Sequence, residues 1–136
     1  MKKFHFFEPA QKLTQNSHWV ALVGNPNCGK TAIFNLLTGL NQKVSNYPGI
    51  TVEKKEGIVY AQGDKTFNLL DLPGTYSLSA ESFDEQIVSD QVLSWAKGEN
   101  PPAVIVSVVD ASSLSRNLYL TTQLLDLDIP MIVVLN

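Results

Sequence analysis

The 136-residue sequence predicts an α/β fold, in which a mostly parallel sheet carries helices on both faces. Three observations lead there. Short apolar runs bounded by glycine or proline alternate with longer stretches whose apolar residues recur at helical spacing. The first apolar run passes into a glycine-bracketed loop and then a helical stripe, the strand–loop–helix order of a parallel unit. At 44% hydrophobic and 17% charged residues, the chain can build a core and still keep a solvated surface.

Residues 1–18 show no sustained period, although Phe4, Phe6 and Phe7 alternate, and they are read as a flexible leader to a domain spanning 19–136. Trp19 to Val23 is a buried strand ending at Gly24. Thr31 to Leu40 follows as a helix, with Ile33, Phe34, Leu36 and Leu37 on one stripe and Gly39 as its stop. Asn41 to Thr51, with Asn46, Pro48 and Gly49, reads as a loop. Val52 to Ala61 and Thr66 to Leu70 are strands joined tightly enough by Gln62-Gly63-Asp64 to form an antiparallel hairpin. Pro73 and Gly74 break the chain, and a helix runs from about Phe83 to Lys97 with Ile87, Val88, Val92 and Trp95 at helical spacing. Ala103 to Val109 is the most buried strand candidate, Leu114 to Leu127 a third helix, and Met131 to Leu135 a last strand.

Bulk properties narrow the function. A net charge of −3 leaves no basic face for gripping nucleic acid. The single cysteine, Cys28, cannot form an internal disulfide and fits a reducing compartment. The run Ala103 to Val106 stops at Ser107, far short of the roughly 20 apolar residues of a spanning helix. Glu8, Pro9 and Gln11 interrupt any secretory apolar region. The chain as given is expected to be soluble and cytosolic.

The informative segment is Gly24-Asn25-Pro26-Asn27-Cys28-Gly29-Lys30-Thr31, which fits G-x-x-x-x-G-K-[ST]. Gly24 and Gly29 let backbone N–H groups face an anion without side chains intervening. Lys30 sets a positive charge against β- and γ-phosphates, the Thr31 hydroxyl can ligate Mg²⁺, and the following helix aims its positive end at the same place. A strand before the motif and a helix after it favour this reading over a chance Gly-Lys-Thr turn. Cys28 is read as filler, despite the acidity a helix N-terminus can lend a thiol.

Asp71-Leu72-Pro73-Gly74 closes a strand, where an Asp can hold Mg²⁺ through water and Gly74 can offer its N–H to a γ-phosphate. Alone it is equally an ordinary turn. Thr51, between loop and strand, can add its hydroxyl to Mg²⁺ only while a γ-phosphate is present, although a lone Thr there is usually just a β-former. The three elements together signal a switch. His5 and His18 read as surface or leader residues, Lys54 and Lys55 as a solvated strand edge, and Trp19 and Trp95 as packing.

Gly24–Thr31, Ser45–Glu53 and Asp71–Leu78, extended by Val109–Ser112 and Arg116–Leu120, together resemble the GTPase domain of the ferrous iron transport protein B family. The likeness covers about Trp19 to Asn136. It implies a P-loop NTPase of Ras-like GTPase fold, placed at the cytoplasmic face of the bacterial inner membrane ahead of a membrane-embedded Fe²⁺ transport domain. A homo-oligomer is compatible with it. The implied cofactors are GTP or GDP, Mg²⁺ and K⁺. The implied nucleotide contacts are Asn25, Asn27, Cys28, Gly29, Lys30, Thr31, Ala32, Thr51, Asp71, Gly74 and Asn136. Asn27, Lys30, Thr51 and Gly74 are the implied catalytic set, and Thr31, Thr51 and Asp71 the Mg²⁺ ligands. Asn27 with the Ser45 and Tyr47 carbonyls would hold K⁺, supplying the charge an arginine finger supplies elsewhere.

Two departures matter. Thr75 stands where Ras carries a water-orienting glutamine, so hydrolysis is expected to be slow without K⁺. The sequence reaches Asn136, the first residue of the Asn-x-x-Asp that reads guanine in the family, and is read as a truncated frame lacking the last strand and helix. That reading predicts reduced stability, an exposed apolar edge at Met131–Leu135 and weak GTP/ATP discrimination. Two alternatives stay open: a ribosome-assembly GTPase, and a nucleotide-binding module without useful turnover.

Overall fold

In a computed structural model, residues 18–136 are described; the leader expected over 1–18, His5 included, lies outside the described residues apart from His18. Strand β1 (Trp19–Gly24) is apolar on both sides, and each side has its own core. Ala21 and Val23 pack against Val88, Val92 and Trp95 of α2 (Phe83–Ala96) and Leu120 and Leu124 of α3 (Leu114–Leu125). Val20 and Leu22 pack against Phe34 of α1 (Lys30–Thr38). A central strand with no polar face is what a sheet covered on both sides requires.

The remaining strands are β2 (Gln42–Asn46), β3 (Glu53–Tyr60), β4 (Thr66–Asp71), β5 (Val104–Val109) and β6 (Met131–Leu135), in the order β2-β3-β4-β1-β5-β6. β1 pairs in parallel with β4 and β5, and β5 with β6, while β2, β3 and β4 form an antiparallel meander. The loops that follow the carboxyl ends of β1 and β4 therefore emerge side by side. β6 is a sheet edge, with Val133 and Leu135 exposed. Trp19 and Trp95 meet edge to face at 5.7 Å, in the packing role expected of them.

Two sequence expectations need correction. The stretch 41–51 is not all loop, because Gln42 to Asn46 pairs with β3 from Gly57 back to Glu53. Gln-Lys-Val-Ser-Asn has one apolar residue and is largely exposed, so ladder hydrogen bonds rather than burial make it a strand. The helical stripe of α1 is also narrower than expected. Phe34 is fully buried, but Leu36 is 81% exposed. Phe34 and Thr38, four residues apart, take the sheet-facing side, and two positions on from Phe34 the chain points outward.

The helix starts differ in a way that bears on function. α2 begins conventionally: Ser82 accepts the Glu85 N–H, and Asp84 and Glu85 place negative charge in the first turn. α1 begins at Gly29, with no side-chain cap and no acidic residue in its first turn. Its leading N–H groups remain available to an external acceptor.

Candidate functional site

The loop between β1 and α1 is set by unusual backbone angles. Asn27 lies in the left-handed region at φ 61°, and Gly29 at φ 93° turns the chain into the helix. A Cβ on Gly29 would lie 1.9 Å from Asn136 Nδ2, so any side chain here must also push the Asn136 amide aside. Asn25 is buried, and its side chain donates to the Arg116 carbonyl at 3.5 Å. Arg116 in turn lies over the Tyr76 ring, 4.1 Å from its centroid.

Lys30 projects from the start of α1 and forms an ion pair with Asp71 at the end of β4. Both side chains are nearly buried, at 11% and 7% exposure, so the contact joins the two motifs across the parallel β1–β4 pair. Beside it opens a cavity of about 430 Å³ whose wall includes Lys30, Thr31, Thr51, Asp71 and Gly74. Five residues chosen from three separate motifs thus line one space. Glu53, Lys55 and Asp84 line it too, and sequence reasoning missed them. Lys55 is directly opposite Asp71 in the β3–β4 register, a placement that no local pattern reveals. Ala32 follows Thr31 in the first turn of α1 and is exposed.

The loop after β4 is held against the phosphate loop. The Thr75 N–H donates to the Gly24 carbonyl at 3.1 Å, and a Cβ on Gly74 would come within 2.9 Å of Pro26 Cα. Thr75 is fully buried and its hydroxyl donates to the Ser77 carbonyl at 2.6 Å. Its side chain is therefore unable to orient a water in the cavity.

Cys28 is buried, and burial pushes its thiol up, with partial opposition from Lys30. It is packing, as expected. Asn136 binds the phosphate loop: its Nδ2 donates to the Cys28 carbonyl at 3.0 Å, while its backbone pairs with Val109 and Ala111. Ser45 lies in β2 opposite Lys54, and the Tyr47 carbonyl accepts the Ile50 N–H at 3.2 Å. The Tyr47 hydroxyl is buried without a partner, and burial, followed by the Asp71 and Glu56 carboxylates, pushes it up to about 12. Asp110 caps the turn after β5 by accepting from the Ser112 N–H and hydroxyl, which hold its carboxyl below the usual range. Buried Asn117 staples the same turn through the Asp110 N–H and the Ser113 carbonyl. Among the described residues, no group of three His, Cys, Asp or Glu is arranged to hold a metal, and no helix is long and apolar enough to cross a membrane.

The chain is similar to known proteins in sequence and in fold. The family profile described as Ferrous iron transport protein B matches residues 18–136. The Fe(2+) transporter FeoB of Salmonella typhimurium is 53% identical over 121 residues, covering 86% of this chain and 15% of that protein. The Fe(2+) transporter FeoB of Methanocaldococcus jannaschii is 50% identical over 111 residues, covering 82% of this chain and 16% of that protein. Among solved structures, the G domain of the T. maritima FeoB iron transporter superposes with a TM-score of 0.76 at 44% identity, over 86% of this chain and 70% of that one. The cytosolic domain of L. pneumophila FeoB gives 0.78 at 48%, over 87% and 45%. A GDP-bound A143S mutant of the S. thermophilus FeoB G-domain gives 0.76 at 49%, over 87% and 43%. The fold is thus that of a P-loop GTPase G domain, and the chain spans about 15% of the curated relatives it matches. With the profile running from the first described residue through Asn136, the chain belongs to the ferrous iron transport protein B family.

Proposed function

We propose that this chain is a GTP-binding and slowly GTP-hydrolysing switch domain of a ferrous iron transporter, acting at the cytoplasmic face of a membrane-embedded transport domain. The observation that carries the reading is the Lys30–Asp71 pair at the uncapped start of α1, with Thr31 and Thr51 on the wall of the same cavity. The free N–H groups of the loop and first turn donate to phosphate oxygens, and Lys30 exchanges Asp71 for the β- and γ-phosphates. The Thr31 and Thr51 hydroxyls and the Asp71 carboxylate are hard oxygen donors suited to Mg²⁺, which would neutralise charge on the phosphates when bound. Gly74, held against Pro26, presents its N–H to the terminal phosphate. GDP-bound relatives of the same fold support guanine as the base, with Asn136 bracing the loop beneath it.

K⁺ activation is part of the proposal. Asn27 is exposed on the loop, and the Tyr47 carbonyl keeps a second lone pair beyond the one Ile50 uses. With the Ser45 carbonyl these residues would hold a monovalent cation, contributing positive charge where the γ-phosphate leaves. With Thr75 buried and bonded to the Ser77 carbonyl, that charge would act without help from its side chain.

The test is GTP turnover by the chain in K⁺ and in Na⁺ buffers, with Lys30→Ala as control. Turnover is expected to be faster in K⁺ and lost in the variant. Equal rates in the two salts would remove the K⁺ role, and failure to bind GDP at all would overturn the reading.

A further inference from the structure

Lys54 and Lys55 are neighbours in sequence but lie on opposite faces of β3. Lys54 pairs with Glu56, two residues along on its own face, at 3.1 Å. Lys55 turns to the α1 side, opposite Asp71, where it lines the cavity. Its nearest carboxylate, Glu53, is 4.0 Å away, at the outer limit of an ion pair, and Lys55 is still 30% exposed. The cavity therefore has a second ammonium besides Lys30, and this one is only loosely held. A loose, partly exposed pair contributes little to stability, so giving it up for a multiply charged anion is easy.

Position decides which part of the anion it meets. Lys30 stands at the base of the phosphate loop. Lys55 comes from the strand that follows Thr51 and lines the cavity together with Thr51 and Gly74, the residues assigned above to the terminal phosphate and its Mg²⁺. We propose that Lys55 is a specificity-determining residue that contacts the terminal phosphate of a nucleoside triphosphate and so distinguishes it from the diphosphate. This rests on the nucleotide-binding reading above and adds the residue that tells the two ligands apart.

The experiment titrates fluorescent GDP and a non-hydrolysable fluorescent GTP analogue, in excess Mg²⁺, into the wild-type chain and three variants. Lys55→Gln is expected to weaken the triphosphate about tenfold, the scale of one charge-assisted hydrogen bond, and to leave GDP within about twofold. Lys55→Arg keeps the charge and is expected to hold triphosphate affinity within about threefold of wild type. Lys54→Gln, on the other face, is expected to change neither. Equal loss of both nucleotides in Lys55→Gln would make Lys55 a support for the strand and overturn the proposal, as would no loss at all. The same loss in Lys54→Gln would reduce the effect to net charge. A wild-type chain that binds neither nucleotide would instead overturn the nucleotide-binding reading itself, an outcome distinct from the others.

Discussion

Replacing Gly29 with alanine tests two separable effects at the entrance to α1. At φ 93° and ψ 11° an L-residue is held in left-handed space, at a cost of about 1–2 kcal/mol. The new methyl would also lie 1.9 Å from Asn136 Nδ2 and drive that side chain off the Cys28 carbonyl. A neutral hydrogen bond contributes about 1 kcal/mol net, so Gly29→Ala should destabilise by about 2–3 kcal/mol in total. Asn136→Ala alone should cost about 1 kcal/mol by the same estimate. The double variant should then cost about as much as Gly29→Ala, because the hydrogen bond can be lost only once. Urea unfolding followed by Trp19 and Trp95 fluorescence reads this directly. With a slope of about 1–3 kcal/mol per M, the single glycine change moves the midpoint by roughly 0.7–3 M. Full additivity of the two substitutions would refute the claim that they share a contact. A Gly29→Ala loss below about 1 kcal/mol would refute the backbone argument as well.

Two further outcomes follow from burial. Phe34→Ala should cost about 3–5 kcal/mol because it empties a fully enclosed site, while Leu36→Ala on the outer side of α1 should stay within about 0.5 kcal/mol, as thermal unfolding can check. Tyr47→Phe removes a buried hydroxyl that has no partner, so at pH 7 the variant should equal or exceed wild type by up to about 1 kcal/mol. Because burial raises this phenol from 10.0 to about 12, the folded chain keeps a proton that the unfolded chain releases between those values. Wild-type stability should therefore fall across that window by a component the phenylalanine variant lacks, and urea midpoints at pH 7 and 11 would show the gap widening.

What could be read in advance depended on how far apart the deciding contacts lie. β1, the phosphate loop and α2 were legible because each is specified by a short local pattern: an apolar run, a glycine spacing, or apolar residues at a helical period. β2 was not, because Gln42 to Asn46 carries no such pattern and becomes a strand only by pairing with β3. Lys55 reads as solvated in sequence because its face follows only from the β3–β4 register, and a one-residue shift would turn it away from the cavity. Leu36 and Leu37 fall outside the side of α1 that Phe34 and Thr38 turn to the sheet, a distinction that apolar spacing over two turns does not resolve. Asn136 was expected only as a nucleotide contact; its bond to Cys28 spans 108 positions and leaves no trace in spacing.

The same geometry explains why a change at Gly74 cannot stay local. From Gly74 to Ser82 the chain lacks helix or strand, yet it is tied at close intervals. Thr75 is bound to Gly24 through its N–H and to Ser77 through its hydroxyl. The Leu78 N–H donates to Gln123 of α3 at 2.9 Å, and the Leu78 carbonyl accepts from Ser89 of α2 at 3.1 Å. Ser82 then caps α2 itself. With Pro26 in contact on its other side, Gly74 has no slack to absorb a displacement within the loop. A displacement of the Gly74 backbone must therefore strain Thr75 against Gly24 or move Leu78, and Leu78 is fastened to two helices. Packed elements answer such strain by shifting as bodies rather than by deforming.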